Sequence, residues 1–233
     1  MKFETPLIRA TLLRRYKRFL ADVQLEDGRE VTAHVANPGS MLGMKDEGLT
    51  VWLEPNDDPK RKLDYSWKLV EVGGAKVVVD TAIANKVVGG ALRAGLVPTL
   101  AEYQTVKAEV KYGEGSRIDF LLSGEGLPDC YVEVKSVTLS REKGLAEFPD
   151  SVTARGTKHL GELTKMVADG HRAVMLYLVQ RDDCDRFDLA GDIDPAYADA
   201  AVLAQAGGVE FLCFATKPTV EGVYFMEKLP IYV

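Results

Sequence analysis

Short runs of alternating apolar and polar residues fill the first 80 positions of the chain. They predict strands over residues 16–25, 30–36, 49–54, 65–72 and 76–80. Between the first two runs lies Asp27-Gly28, a residue pair that favours a tight hairpin because both central residues of the turn need positive φ. No amphipathic helix interrupts the runs, and five is the strand number of an OB-fold. Residues 1–80 are therefore predicted to form a small OB-like β-barrel.

The pattern changes after position 80, where helical spacing begins to alternate with strand-like runs. Helices are predicted over residues 82–96, 152–168 and 195–206, and strands over residues 103–112, 117–122, 130–138, 172–180 and 209–216. The run 172–180 is almost continuously apolar, as expected for a strand buried on both faces. This order predicts an α/β (α+β) second domain over residues 81–233, in which helices flank a mixed sheet.

Composition places the chain among ordinary globular proteins, with 46% hydrophobic and 27% charged residues in 233. No apolar run approaches the ~20 residues of a membrane helix, and cations interrupt the N-terminal apolar residues, so we expect a cytoplasmic protein without a membrane partner. The three cysteines form no Cys-x-x-Cys pair, and the three histidines have no zinc-ligand spacing. Any metal should therefore be held by oxygen.

A net charge of −6 would argue against nucleic-acid binding if it were spread evenly, but the charge is distributed unevenly along the chain. Residues 1–80 carry 13 cationic and 13 acidic side chains, so the whole deficit lies in residues 81–233. Much of it comes from an acidic stretch between Asp182 and Asp199, which we expect to form a solvated loop and the first turn of a helix. The N-terminal part remains open to a polyanionic partner.

Two carboxylates are predicted to face each other across a hairpin formed by residues 117–122 and 130–135. If the turn is centred on Gly126, Asp119 lies opposite Glu133. Arg117 and Lys135 then share their face, while the opposite face carries Ile118, Phe120, Val132 and Val134. Opposed residues have Cβ atoms ~5 Å apart, close enough for two carboxylates to bind one divalent ion.

A third acid, Glu109, extends this pattern onto the preceding strand. A turn centred on Glu114 sets Glu109 opposite Asp119, so three acids would cross three adjacent strands. A register change of two residues in either hairpin would keep the faces but break the row. The alternative interpretation is an ordinary solvent-exposed face on which acidic and basic residues alternate.

Hard oxygen ligands of this kind select Mg²⁺ or Mn²⁺, with Asp119, Glu133 and Glu109 as the candidate ligands. A cation two residues from Glu133, Lys135, can orient a water molecule or stabilise the charge that develops on a phosphate. Arg155 and His159 lie four apart on the following predicted helix and can project together toward the site. That helix could equally be a surface helix whose basic residues are solvated.

Candidate nucleic-acid contacts cluster in the β-rich half. The cations form two groups near Tyr16, Phe19, Tyr65 and Trp67: Arg14, Arg15, Lys17 and Arg18, and then Lys60, Arg61 and Lys62. Cations bind phosphates and exposed rings stack on bases, the combination that single-strand binding uses. Aromatic residues in a small barrel are more often part of its core, so the cations are the stronger evidence.

Asp119 followed by Glu133-Val134-Lys135 resembles the signature of the PD-(D/E)XK nuclease superfamily. The wider sequence resembles the sugar fermentation stimulation protein A family at residues 14–23, 37–41, 109–113, 116–120, 131–139 and 155–160. This resemblance implies an N-terminal OB-like domain, a C-terminal nuclease-like domain and DNA binding. It leaves catalysis open, because the family name records a sugar-metabolism phenotype.

Three hypotheses follow, and the leading one is a Mg²⁺- or Mn²⁺-dependent nuclease in which the barrel binds nucleic acid, most readily DNA, and the second domain cleaves it. The alternative is a non-catalytic DNA-binding regulator of sugar metabolism with a nuclease-like domain. A third is an RNA-binding module. The sequence leaves the strandedness of the substrate and the formation of a homodimer open.

Overall fold

The N-terminal strands close into a barrel in the computed structural model, which describes residues 1–113 and 115–232. The strands are β1 (Ile8–Tyr16), β2 (Leu20–Leu25), β3 (Glu30–His34), β4 (Thr50–Pro55), β5 (Tyr65–Val72) and β6 (Ala75–Val78). They lie in the order β3-β2-β1-β4-β5-β6, and an additional pairing between β3 and β5 closes the first five into a ring. The predicted OB-like barrel is confirmed.

The start of the barrel differs from the sequence prediction. Residues 16–25 do not form one strand, because a turn at residues 17–19 separates β1 from β2. The strand β1 escaped prediction since the doublets Leu12-Leu13 and Arg14-Arg15, with a bulge between Leu12 and Arg14, disrupt its alternation. The hairpin around Asp27-Gly28 is present, although of these two residues Gly28 alone has positive φ.

A six-stranded mixed sheet forms the centre of the second part of the chain. Its strands are β7 (Thr105–Tyr112), β8 (Ser116–Ser123), β9 (Cys130–Val137), β12 (Arg172–Val179), β14 (Glu210–Thr219) and β15 (Gly222–Lys228), in the order β15-β14-β12-β9-β8-β7. Strands β9, β12 and β14 are parallel and the others antiparallel. The predicted mixed sheet is confirmed.

Helices cover both faces of this sheet. The helix α1 (Ala82–Arg93) packs in one apolar cluster with Val174, Leu176 and Leu178 of β12. The helices α2 (Ala154–Ala168) and α3 (Pro195–Ala206) pack in another cluster, which contains the alternate residues of the same strand. The continuous apolar run of β12 is thus buried on both faces, as its sequence predicts.

Three further strands form a separate small sheet that the sequence analysis missed. They are β10 (Leu139–Glu142), β11 (Gly144–Phe148) and β13 (Cys184–Leu189), in the order β10-β11-β13. The prediction of a solvated loop through the acidic stretch is therefore wrong over β13, where Phe187 is fully buried while neighbouring charges form surface ion pairs. Asp194 caps the N-terminus of α3, as expected for an acid at that position.

The registers of the two central hairpins match the prediction, but the faces match only in part. Phe120 pairs with Val132 and also with Ala108, in the predicted registers; the predicted turn centre Glu114 lies outside the described residues. However, Ile118 packs with α2 and α3, whereas Phe120 packs with α1. The predicted common face is wrong because the β8–β9 ladder ends at Phe120, next to Asp119.

Candidate active site

A cavity of about 620 Å³ opens between the barrel and the mixed sheet. From the second part of the chain, its lining includes Asp119, Glu133, Lys135, Arg155 and His159. From the barrel it includes Arg18 and residues 37–39. The structure therefore brings five of the six residues predicted for catalysis into one space.

Asp119 lies where β8 separates from β9. Its Oδ2 accepts a hydrogen bond from the backbone N–H of Val134 at 2.7 Å, and its Oδ1 accepts one from Nδ2 of Asn85 at 2.6 Å. Burial, reinforced by the nearby charge of Glu133, raises the pKa of Asp119 to about 6. The negative charge of ionised Asp119 is therefore poorly solvated and is repelled by the nearby carboxylate of Glu133.

Glu133 is almost fully buried, with 3% of its surface exposed. Its Oε1 accepts a hydrogen bond from Nζ of Lys135 at 2.9 Å and contacts Nδ1 of His159. Burial opposes ionisation, but the hydrogen bond from His159 and the charge of Lys135 outweigh it and lower the pKa of Glu133. The other oxygen, Oε2, is buried without a hydrogen-bond partner, which is rare for a carboxylate and leaves it available to a cation.

The first two turns of α2 place His159 against Glu133 and Arg155 against His159. Thr153 caps the helix by accepting a hydrogen bond from the N–H of Gly156. Nε of Arg155 lies 3.3 Å from Nε2 of His159, and Nδ1 of His159 contacts Glu133. An imidazole with its proton on Nδ1 satisfies both contacts, because it donates to Glu133 and accepts from Arg155.

The structure does not bring Glu109 to the carboxylate pair. Glu109 is exposed, has a φ of 55° and lies outside the cavity lining; its carbonyl accepts a hydrogen bond from the likewise exposed Arg117. The β7–β8 register is the predicted one on both sides of Glu109, where Ala108 pairs with Phe120 and Val110 with Ile118, but Glu109 itself lies outside the cavity that holds Asp119. Over residues 1–113 and 115–232, no three or more acidic, histidine or cysteine side chains are grouped to hold a metal.

Asn85 is a site residue that the sequence analysis missed. It lines the cavity from the first turn of α1 and holds the carboxylate of Asp119. The only local signal is a polar residue among the apolar positions of this helix, which also suits a solvated helix face. Its role depends on the packing of α1 against β8.

A loop of the barrel, residues 37–41, forms the rim of the cavity. It is tied to the second part of the chain by Asp150, whose Oδ2 accepts from the N–H of Met41 at 2.9 Å and whose carbonyl accepts from Oγ of Ser40 at 2.7 Å. Gly39 allows this close approach, since a Cβ there would lie 2.7 Å from the carboxylate of Asp150. The buried side chain of Asn37 donates a hydrogen bond from Nδ2 to the carbonyl of Val79, which attaches the loop to the barrel.

Comparison with known proteins identifies the family. Residues 13–79 match the SfsA N-terminal OB domain, and residues 82–222 match the sugar fermentation stimulation protein RE domain. The chain belongs to the sugar fermentation stimulation protein A (SfsA) family. Sugar fermentation stimulation protein homologs from Ruegeria sp. (strain TM1040) and Ruegeria pomeroyi are 64% and 63% identical to it, covering 99% and 98% of this chain and all of each relative.

Among solved structures of the SfsA family, the one of Pyrococcus furiosus SfsA in complex with Ca²⁺ is similar throughout. It covers 100% of this chain and 98% of its own, with a TM-score of 0.91 and 27% sequence identity. The arrangement of a barrel beside a mixed sheet is thus shared across the full length. No helix described in this SfsA-family chain is long and apolar enough to cross a membrane.

The basic clusters of this SfsA-family chain occupy two loops of the OB barrel. The first lies at the β1–β2 turn, and Lys60, Arg61 and Lys62 lie exposed in the loop between β4 and β5. Trp67 is a core residue, whereas Phe19 is 44% exposed. Of the four candidate aromatics, Trp67 is therefore in the core and Phe19 at the surface, while Tyr16 and Tyr65 are partly buried.

The four cations of the first cluster have different surroundings. Arg14 pairs with Asp22 at 2.8 Å and lies over the ring of Tyr16, while Lys17 and Arg18 form the exposed tip of the turn. Arg15 points inward and donates to the carbonyls of Arg18, Asn37, Gly39 and Ser40. These contacts give Arg15 a structural role at the base of the turn, so its guanidinium is largely used within the protein.

Proposed function

We propose that this SfsA-family protein is a divalent-metal-dependent phosphodiesterase that binds and cleaves nucleic acid, with DNA as the expected substrate. The observation that carries the proposal is the pair Asp119 and Glu133 in one cavity, with Oε2 of Glu133 buried and unpartnered beside Lys135. Two adjacent desolvated carboxylates are costly to the fold, and groups of this kind cluster at functional sites. The similar structure of P. furiosus SfsA holds Ca²⁺, another hard divalent cation, and this supports a divalent metal here.

Asp119 and Glu133 would hold the metal, since paired carboxylate oxygens suit Mg²⁺ or Mn²⁺. When bound, such an ion supplies a Lewis acid for a phosphate oxygen and lowers the pKa of bound water. Asn85 and the N–H of Val134 fix the carboxylate of Asp119, and His159 fixes that of Glu133. The two acids are therefore held in position before a ligand arrives.

Lys135 and Arg155 supply positive charge to the cavity. In the hydrolysis we propose, water adds to phosphorus, one P–O ester bond breaks, and the leaving oxygen takes up a proton. The ammonium of Lys135, next to Glu133, stabilises the negative charge that develops on the phosphate. Arg155, at the cavity wall, binds a phosphate oxygen of the substrate.

The barrel supplies affinity for the nucleic-acid backbone. Arg14, Lys17 and Arg18 lie at the β1–β2 turn, and Lys60, Arg61 and Lys62 lie in the β4–β5 loop. These are the two loops with which OB-folds contact oligonucleotides. We leave Arg15 out of this surface because its guanidinium binds carbonyls of the barrel.

The test is a cleavage assay with end-labelled single- and double-stranded DNA and RNA in Mg²⁺, Mn²⁺ or EDTA. Wild-type protein should cleave only with metal, and Asp119→Asn, Glu133→Gln and Lys135→Ala should each lower the rate by about 10²-fold or more. Glu125→Gln is the matched control, an exposed carboxylate on the β8–β9 turn. Wild-type protein that binds DNA but never cleaves it would favour the non-catalytic regulator.

A further inference from the structure

The three residues that join β1 to β2, Lys17, Arg18 and Phe19, form a turn with an unusual backbone. We call it the 17–19 turn. Lys17 and Arg18 have φ values of 46° and 62°, in the left-handed region that glycine adopts freely and other residues rarely enter. Two consecutive long cations at such positions indicate a use for their side chains that outweighs the preference for glycine.

The 17–19 turn is held firmly beside the cavity. Nη2 of Arg15 donates to the carbonyl of Arg18 at 2.8 Å and to that of Asn37 at 2.9 Å, so the turn and the 37–41 loop are fixed together. The N–H of Val35 donates to the carbonyl of Phe19 at 2.9 Å. Asp150 anchors the 37–41 loop to the second part of the chain, and Arg18 is among the residues that line the cavity.

Phe19 follows Arg18 directly and is 44% exposed at the tip of the hairpin. An exposed phenyl ring next to a phosphate-binding cation is the combination with which proteins hold single strands, because every unpaired base offers a face for stacking. Base pairs inside a duplex are already stacked on their neighbours. An exposed ring can therefore stack on an unpaired base but not on a base inside a duplex.

The size of the cavity suits a single strand of nucleic acid. Its volume of about 620 Å³ is that of a pocket for a drug-sized molecule, which corresponds to a nucleotide or two. Glu133 is only 3% exposed, so a phosphate must enter between the barrel and the sheet to approach it. The cavity therefore has room at the carboxylates for a segment of one strand.

We propose that the 17–19 turn guides a single strand of nucleic acid into the cavity, with Phe19 stacked on an unpaired base and Arg18 bound to a backbone phosphate. This inference rests on the proposed function and names its substrate class, a single-stranded nucleic acid. Phosphate and base stacking are common to DNA and RNA, so the experiment includes both.

Binding is measured by fluorescence anisotropy in EDTA, where cleavage is absent, with a labelled 12-nucleotide DNA, the same RNA sequence and the blunt DNA duplex. At least one single strand should bind about tenfold more tightly than the duplex, and Phe19→Ala and Arg18→Gly should each remove about tenfold of that affinity. Arg18→Gly should keep its thermal midpoint, because glycine suits the positive φ. Equal affinity for duplex and single strands, or wild-type binding by Phe19→Ala, would overturn the inference.

Two control variants remove comparable groups elsewhere on the barrel. Leu42→Ala removes an apolar side chain that is 46% exposed, and Arg29→Ala removes an exposed cation in the β2–β3 hairpin. Neither residue belongs to the 17–19 turn, and both variants should bind single strands like wild type. A loss of affinity in the controls as large as that in Phe19→Ala or Arg18→Gly would overturn the assignment to the 17–19 turn.

Cleavage assays on the same variants separate this inference from the proposed function. If wild-type protein cleaves nothing, yet the single-strand preference is lost in Phe19→Ala and Arg18→Gly, the catalytic proposal fails and the role of the turn is supported. If wild-type and variant proteins cleave duplex and single strands equally well with Mg²⁺ or Mn²⁺, the role of the turn is overturned while the catalytic proposal stands.

Discussion

At the scale of single residues, Asp119 and Glu133 share a cavity but differ in what stabilises their charge. Glu133 has Lys135 and His159 on one oxygen, which lower its pKa despite burial. Asp119 accepts hydrogen bonds from an amide and a backbone N–H and is less strongly stabilised by the charge of Lys135, so burial with the charge of Glu133 raises its pKa to about 6. Neighbouring positive charge therefore stabilises ionised Glu133 well and ionised Asp119 poorly.

Asp119→Asn should separate the effect of this residue on stability from its effect on metal binding. The pKa of Asp119 is higher in the folded protein than in the unfolded chain, so its ionisation destabilises the fold increasingly as pH rises from about 4 to above 6. In EDTA, the stability of the variant relative to wild type should therefore increase over this range. With Mn²⁺ at pH 7.5, wild type should gain several degrees in thermal midpoint and the variant little.

Thermal unfolding followed by circular dichroism measures both effects. Glu125→Gln, which neutralises an exposed carboxylate of the same hairpin, should follow wild type in EDTA and in Mn²⁺. A midpoint for Asp119→Asn that falls relative to wild type as pH rises, or that responds fully to Mn²⁺, would contradict the assignment.

At the scale of elements, the position of Asn85 depends on how closely α1 approaches the sheet. Gly89, in the middle of α1, faces the ring of Phe120 on β8, and a Cβ there would lie 3.0 Å from two ring carbons. Gly90, the next residue, has open space around its Cα. The glycine pair weakens the helical signal in the sequence, but one member of it allows the packing that brings Asn85 to Asp119.

Alanine substitutions of the two glycines should have opposite effects. Gly90→Ala should stabilise the protein by about 0.5–1 kcal/mol, because alanine has the higher helix propensity and meets no neighbour. Gly89→Ala should destabilise it by about 1–3 kcal/mol, because the added methyl group forces Phe120 or the helix to move. Urea denaturation gives both free energies, and equal effects of the two variants would show that α1 does not pack as described.

At the scale of the whole molecule, the cavity exists only where the barrel meets the second part of the chain. Asp150 holds the rim of the cavity through Ser40 and Met41. A second contact lies elsewhere, where the carboxylate of Asp182 accepts from the N–H of Lys76 at 2.9 Å. Both acids join the same two parts, but Asp150 lines the cavity and Asp182 does not.

Asp150→Ala should lower nucleic-acid cleavage by about tenfold or more, because the N–H of Met41 loses its carboxylate partner and the 37–41 loop is held at the cavity only by the bond from Ser40 to the backbone carbonyl of residue 150. Asp182→Ala is the matched control; it should lower the free energy of unfolding by a similar ~1–2 kcal/mol while leaving cleavage near wild type. Cleavage rates and urea denaturation are measured on both variants. Equal losses of cleavage would assign the effect to general loosening rather than to the rim.

Local pattern was sufficient for the hairpin that carries the site. Alternation over residues 117–122 and 130–135, with turn residues between them, gave the register in which Phe120 pairs with Val132. Alternation has a period of two, so a one-residue error in register would have moved every apolar residue to the wrong face; the register was right, and Ile118 alone of the four apolar residues packs on the other face. The strand β12, with its long apolar run, and the helix α3, with its N-cap, were also predicted correctly. The residues that specify each of them lie close together in the sequence.

The contacts that complete the cavity were decided by tertiary structure. Asn85 meets Asp119 across 34 positions, and Asp150 meets Ser40 across 110, distances over which local periodicity carries no information. The end of the β8–β9 ladder beside Asp119 and the left-handed backbone of Glu109 were not readable from the alternation either, and Glu109 lies outside the cavity. The sequence by itself therefore determined which strands carry the acids, and the tertiary structure decided which residues converge, since burial and long-range hydrogen bonds form only after the elements pack.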